Sequence, residues 1–192
     1  MKNIDDFLLT NDVTVGDYKK WAKDKDDESK TKIIRLIHHR FYNRYVKHLK
    51  IIDSGFLKMA VSCLMIETIE SFRQGKRDTK LRGVGMQMFK DFFETEQKLF
   101  PGFKDIYSDF YYNIRCGILH QAETNNAWRI LRKDTILDKT EKTINSTKFV
   151  DALEKALINY IDSLKANDFS SLIWKHALFK LDDICENCKA SR

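Results

Sequence analysis

A chain of 192 residues has room for one domain with a substantial core and little beyond it. One proline and seven glycines exclude a sheet-rich fold, which needs turn residues at short intervals, while 43% hydrophobic residues and 13 phenylalanines exclude disorder throughout. Against 28 Asp and Glu stand 34 Lys and Arg, and the net charge of +6 favours an anionic partner without requiring one.

Met1 to Thr10 carries Lys2, Asp5 and Asp6 and no long apolar run, so it reads as neither a secretion signal nor a membrane anchor. No later stretch is long or apolar enough for a bilayer, and a cytoplasmic location is expected. Residues 11–31 hold a short amphipathic piece around Val15, Tyr18 and Trp21, then the charged run Lys23 to Lys30, which reads as a solvated connector. From Lys32 to about Ile52, Ile34, Ile37, Phe41, Tyr45 and Leu49 recur at three- and four-residue steps and predict a helix with one buried face. Phe56 to Arg73 is the most apolar segment; Leu57, Val61, Leu64, Met65, Ile66 and Ile69 point to several faces and place it centrally in a bundle.

Gln74 to Gly85 mixes glycines with Lys76, Arg77, Lys80 and Arg82 and reads as a basic loop able to meet phosphate. A helix follows from Met86 to Phe100, closed by Pro101-Gly102, and another from Phe103 to about Gln121 with Ile106, Phe110, Ile114 and Ile118 on one stripe. Trp128 to Leu131 and Thr135 to Leu137 predict a small β-hairpin or an irregular excursion near 127–138. Asn145 or Ser146 caps a helix over Thr147 to Lys165 that turns Phe149, Leu153, Ala156, Leu157, Tyr160 and Leu164 inward. Ser170 or Ser171 opens a last helix, with Leu172, Ile173, Ala177, Leu178, Leu181 and Ile184 as its apolar members. The expectation is an all-α, up-and-down bundle in one domain, with a motif-bearing core over 56–121 flanked by helices 32–52 and 147–187.

The chemistry concentrates in Tyr111-Tyr112-Asn113-Ile114-Arg115-Cys116-Gly117-Ile118-Leu119-His120-Gln121. Histidine titrates near neutral pH and moves protons, while arginine offers a permanently charged fork matched to phosphate oxygens. An ideal helix turns roughly 100° per residue, so five steps leave Arg115 and His120 about 140° apart. Gly117 and a helix end near His120 are the expected means of bringing the two toward one cleft. Arg115 with four residues before His120 resembles the R-x4-6-H signature of the HEPN family of helical ribonucleases, a resemblance covering mainly Phe56 to Gln121.

That resemblance implies a HEPN-like fold and RNA cleavage by the strand's own 2′-hydroxyl, without metal or other cofactor, with Arg115 and His120 as catalytic residues. It implies a homodimer whose facing motifs form a composite site, a role as toxin or antiphage defence effector, and an antitoxin or regulatory protein as partner. HEPN proteins often carry asparagine, aspartate or histidine after the motif arginine. Here the position is Cys116, with Asn113 as the nearby polar group. Glu67 or Glu70 corresponds to the polar residue such proteins place on the preceding helix. The alternative that Cys116 supports is a non-catalytic HEPN-like module that binds RNA or a protein partner.

Three further readings come from the residues alone. Arg40, Arg44 and Lys47 form an exposed basic face beside His39 and Tyr42, which with Lys76 and Arg77 gives an RNA platform or simply a solvated surface. Of the two tyrosines before the motif, Tyr112 is the exposed one, free to stack a base, and Tyr111 is core. Cys185-x-x-Cys188 has the spacing of half a zinc site, but no second pair follows and free thiols are expected; Cys63 and Cys116 complete a set too scattered for a disulfide framework.

Overall fold

The computed structural model describes residues 3–77 and 83–188. Helices dominate, and one small sheet interrupts them. After a short 3-10 turn at Ile4–Asp6, α1 (Val15–Asp24) starts with a capping box: Thr14 accepts from the Asp17 amide, and Asp17 accepts from the Thr14 amide. The next helix begins earlier than its apolar period suggests. Asp26 accepts from the Ser29 amide and caps α2 (Asp27–Phe41), so most of the charged run expected to be a connector is helix. The chain then widens into a π-helical turn (Tyr42–Val46) and ends in α3 (Lys47–Leu49).

The central element is α4 (Gly55–Gln74), capped by Ser54 and packed against α5 (Val84–Thr95), α8 (Ser146–Ala166) and α9 (Leu172–Glu186). Met59, Cys63, Met65, Ile66, Ile69 and Phe72 are buried, whereas Leu57 and Leu64 remain exposed. Helix α5 stops at Thr95, short of the expected Phe100, because Glu96 turns inward and is buried against Arg73 and Asn159. Lys80 and Arg82 of the expected basic loop lie outside the described residues.

The segment expected as one helix over 103–121 is composite. It runs through a 3-10 turn (Phe103–Ile106), α6 (Tyr107–Asp109), a π-helical stretch (Phe110–Cys116) and α7 (Gly117–Gln121). A block of buried rings fixes it to the core. Phe93, Phe100, Phe103, Phe110 and Phe149 meet at centroid separations of 4.9 to 6.5 Å, with Phe110 stacked on Phe149 of α8 at 5.5 Å. Each such pair contributes about 0.5–1.5 kcal/mol beyond area burial.

The expected hairpin over 127–138 does not form. Strands β1 (Arg129–Leu131), β2 (Leu137–Asp138) and β3 (Thr143–Asn145) make a sheet in the order β1-β3-β2. β1 pairs β3 in parallel and β2 pairs β3 antiparallel, so the hairpin spans 137–145, with β1 added on its far side. Asn145 ends β3 and caps α8, accepting from the Thr147 and Lys148 amides. All six inward positions expected on α8 are buried. On α9 the buried face is Trp174, Ala177, Leu181 and Cys185 instead of one led by Leu172, which is exposed; Trp174 donates its indole N–H to the Leu164 and Asn167 carbonyls, both at 2.9 Å, and sets the helix's rotation.

Candidate active site

Helix geometry opposes a shared face for Arg115 and His120, and the backbone answers by widening. In a π-helix the hydrogen bonds run from i to i+5, so residues five apart come closer to one face than in an α-helix. The widening through Cys116, together with the reach of the arginine, brings Arg115 Nη1 to 3.4 Å from His120 Nε2. Gly117 is not the source of this adjustment, since its φ of −56° and ψ of −56° are ordinary helix.

Gly117 matters for space instead. A Cβ there would stand 2.5 Å from the Glu123 carbonyl oxygen, because residues 122–125 fold back along the helix. Ala122, with φ of 57°, turns the chain, and the Asn125 amide donates to the Asn113 carbonyl at 2.9 Å. The fold-back ends the helix at Gln121, one residue past His120, and the imidazole is exposed.

Arg115 is held from two sides. Its Nε donates to Glu67 Oε1 at 2.8 Å, an ion pair whose side chains are only 20% and 13% exposed. Its guanidinium lies over the Tyr111 ring at 5.4 Å. Tyr111 in turn packs on Phe89 at 5.6 Å and reaches Gly85, where a Cβ would come within 2.9 Å of its hydroxyl. Burial by itself lowers the Arg115 pKa, but the Glu67 hydrogen bond and charge outweigh it and raise the value above the usual arginine range, so the site keeps its cation. Tyr111 is thus a residue the motif alone does not announce. Its signal is the four-residue step to Arg115, which stacks two helical side chains.

Arginine only donates, so the contact is a hydrogen bond in the tautomer whose Nε2 carries the lone pair. The remaining candidates lie close by with other partners. Asn113 donates to Asp109 at 3.3 Å, and Glu123 accepts from the Thr124 amide at 2.8 Å. Cys116 is half-buried, and Tyr112 is exposed beside half-buried Tyr111. Glu67 supplies the acidic partner on α4. Glu70 does not, being buried and paired with Arg73.

The expected RNA platform is largely dismantled. Arg40 and Arg44 both donate to the Leu9 carbonyl, Arg40 at 3.1 Å, which ties them to the N-terminal segment. Burial lowers the Arg40 pKa, and neighbouring Arg44 adds to the effect. Lys47 remains exposed. Arg77 lies over the Phe179 ring of α9 at 5.2 Å, and Lys76 is half-buried at the end of α4. At the other end of the chain Cys185 packs in the core, and no group of His, Cys, Asp and Glu side chains suited to a metal ion occurs among the described residues. None of their helices is long and apolar enough to cross a membrane.

The site therefore consists of one guanidinium, charged, oriented by a carboxylate and an aromatic ring, and one exposed imidazole within reach of it. No family model, curated protein or solved structure matches this chain.

Proposed function

We propose that the chain is a HEPN-like, metal-independent endoribonuclease of the cytoplasm, acting on RNA as a toxin or antiphage effector under the control of an antitoxin or regulatory protein. The observation that carries the reading is the approach of Arg115 Nη1 to His120 Nε2 at 3.4 Å beside Glu67. His120 takes the proton from an RNA 2′-hydroxyl, whose oxygen attacks the adjacent phosphorus, and Arg115 stabilises the charge that builds on the phosphate oxygens. The P–O5′ bond then breaks, and the departing oxygen needs a proton. One imidazole cannot be base and acid in the same step, so a second motif facing the first supplies the acid.

A homodimer provides that second motif. Its support is an apolar rim around the site: Leu64, three residues before Glu67, and Leu119, beside His120, are each 44% exposed. Leu119→Glu is expected to give a folded monomer in sedimentation velocity and to abolish cutting, whereas a cutting-competent monomer would remove the composite site from the proposal.

The direct test incubates labelled RNA with purified protein in EDTA, comparing the unaltered chain with Arg115→Ala and His120→Ala. Cleavage by the unaltered chain alone, blocked by a 2′-deoxy substitution at the cut, is the expected result. The rival reading is a HEPN-like module that binds RNA or a protein without cutting. The Glu67 carboxylate favours it, since it occupies the Nε edge of the arginine that would otherwise face phosphate. RNA that is bound and left whole would establish the rival.

A further inference from the structure

Away from the motif, a cavity of about 440 Å³ opens between the N-terminal segment, α1 and α2. Its wall includes Thr10, Asp12, Trp21, Lys32, Arg35 and His39. A second groove of about 380 Å³ abuts it and shares Arg35 and His39, adding His38 and Lys165 and no carboxylate. The size of the first suits a small organic ligand. None of its residues belongs to the elements that carry Arg115 and His120.

Two polar groups of this groove have no partner among the described residues. Arg35 is exposed and has no hydrogen-bond or ion-pair partner among the described residues. His39 Nδ1 is buried and likewise without a partner. Trp21 packs in part against the core, and the Lys32 ammonium stands 5.7 Å from its ring centroid at the groove. The acids nearby are committed elsewhere: Asp17 to the Thr14 capping box, Asp12 to the Thr10 hydroxyl at 3.0 Å, and Glu28 to Lys32 at 2.6 Å.

A flat aromatic wall next to an unpaired guanidinium and an unpaired imidazole nitrogen is what recognises a base with its phosphate. We propose that this groove is a nucleotide-binding site, holding an unstacked base against Trp21 and its phosphate between Arg35 and His39, where the two grooves meet. The base displaces Lys32 from the indole, and the freed ammonium turns to the phosphate. His39, in the wall that the two grooves share, borders the phosphate. The cationic second groove, through His38 and Lys165, accepts the next phosphate if the nucleotide is part of a strand.

The test uses the full chain carrying His120→Ala, so that no strand is cut whatever the motif does. Trp128 and Trp174 are buried, so quenching of indole fluorescence reports on Trp21. Adenosine monophosphate and a short oligodeoxyadenylate are titrated in parallel. Saturable quenching by either supports the site; the mononucleotide response identifies a free nucleotide as the ligand, and a response to the oligomer alone identifies a strand. Arg35→Glu, at an exposed position, is expected to weaken binding at least about tenfold, and Trp21→Phe to keep the fold and lose the signal. Absence of quenching, indifference to Arg35→Glu, or inorganic phosphate competing as tightly as the mononucleotide would each overturn the proposal. Because the readout is binding in a cutting-dead variant, its failure leaves the ribonuclease reading standing, and the failure of that reading leaves this one.

Discussion

Two arginines of this protein are each held by a glutamate of α4, and they have opposite fates. Glu70 bonds Arg73 at 2.7 Å, and Glu67, almost one turn earlier, bonds Arg115 at 2.8 Å. Around Arg73 a second carboxylate adds to the first: Glu96 takes its other nitrogen, the Phe92 and Tyr160 rings lie 5.8 Å away, and the remaining flank borders a groove of about 530 Å³. Around Arg115 one carboxylate holds Nε, the Tyr111 ring covers one face, and Nη1 looks toward an exposed histidine. The ion pair is the same chemistry in both places. What separates the two guanidiniums is that Arg73 is shared between two carboxylates, whereas Arg115 is held by one and keeps a nitrogen within reach of an imidazole.

That contrast can be broken first by exchanging the readouts. Arg115→Ala or His120→Ala is expected to lower RNA cutting by about 10²- to 10⁴-fold; the exposed His120 change should move unfolding free energy by about 0.5 kcal/mol or less, and the Arg115 change, which leaves Glu67 at 13% exposure without its cation, by about 1–3 kcal/mol. Arg73→Ala is expected to do the reverse. It leaves Glu70 and Glu96, 2% and 4% exposed, as buried carboxylates without their cation, and urea denaturation should show a loss of about 3–5 kcal/mol. Equal stability losses in the two arginine variants would erase the distinction.

Gly117→Ala sharpens the same point from the backbone side. Its new methyl meets the Glu123 carbonyl, so the 122–125 fold-back must shift at a cost of about 1–3 kcal/mol, and cutting should fall because His120 sits at that turn. Cutting unchanged by the substitution would mean that the fold-back does not position the imidazole. Here the limits of the sequence are visible in physical terms. The pairing of Arg115 with His120 is legible because both types and their spacing are local, but the π-helical turn that joins them is a tertiary product of the phenylalanine block and follows from no local period. Helix α8 is legible throughout, since a regular helix with one buried face writes its period into the chain. Arg40 and Arg44 mislead because their partner, the Leu9 carbonyl, lies more than thirty residues away. The parallel pairing of β1 with β3 is equally non-local, whereas the hairpin expected in its place needs only neighbours.

The smallest effect separates the two sites by pH. Burial raises the Glu70 pKa above its ordinary value of 4.5, and the charge and hydrogen bond of Arg73 offset only part of the rise. Between the ordinary and the raised value the folded chain holds this proton while the unfolded chain has released it. The contribution is therefore fully present below the ordinary value and lost as pH climbs through the raised one. Asp17 acts with the opposite sign: the Thr14 backbone and hydroxyl bonds lower its pKa, and its contribution is lost as pH falls. The stability curve of the unaltered chain mixes both, so the informative quantity is its difference from Glu70→Gln, which keeps an acceptor for Arg73 and titrates no proton. That difference should slope downward in favour of the unaltered chain's acid side, from about pH 4.5 upward, in urea denaturation across the range. A flat difference would mean that Arg73 fully compensates the buried carboxylate, so that this guanidinium, unlike Arg115, has its charge wholly spent on the glutamates that hold it.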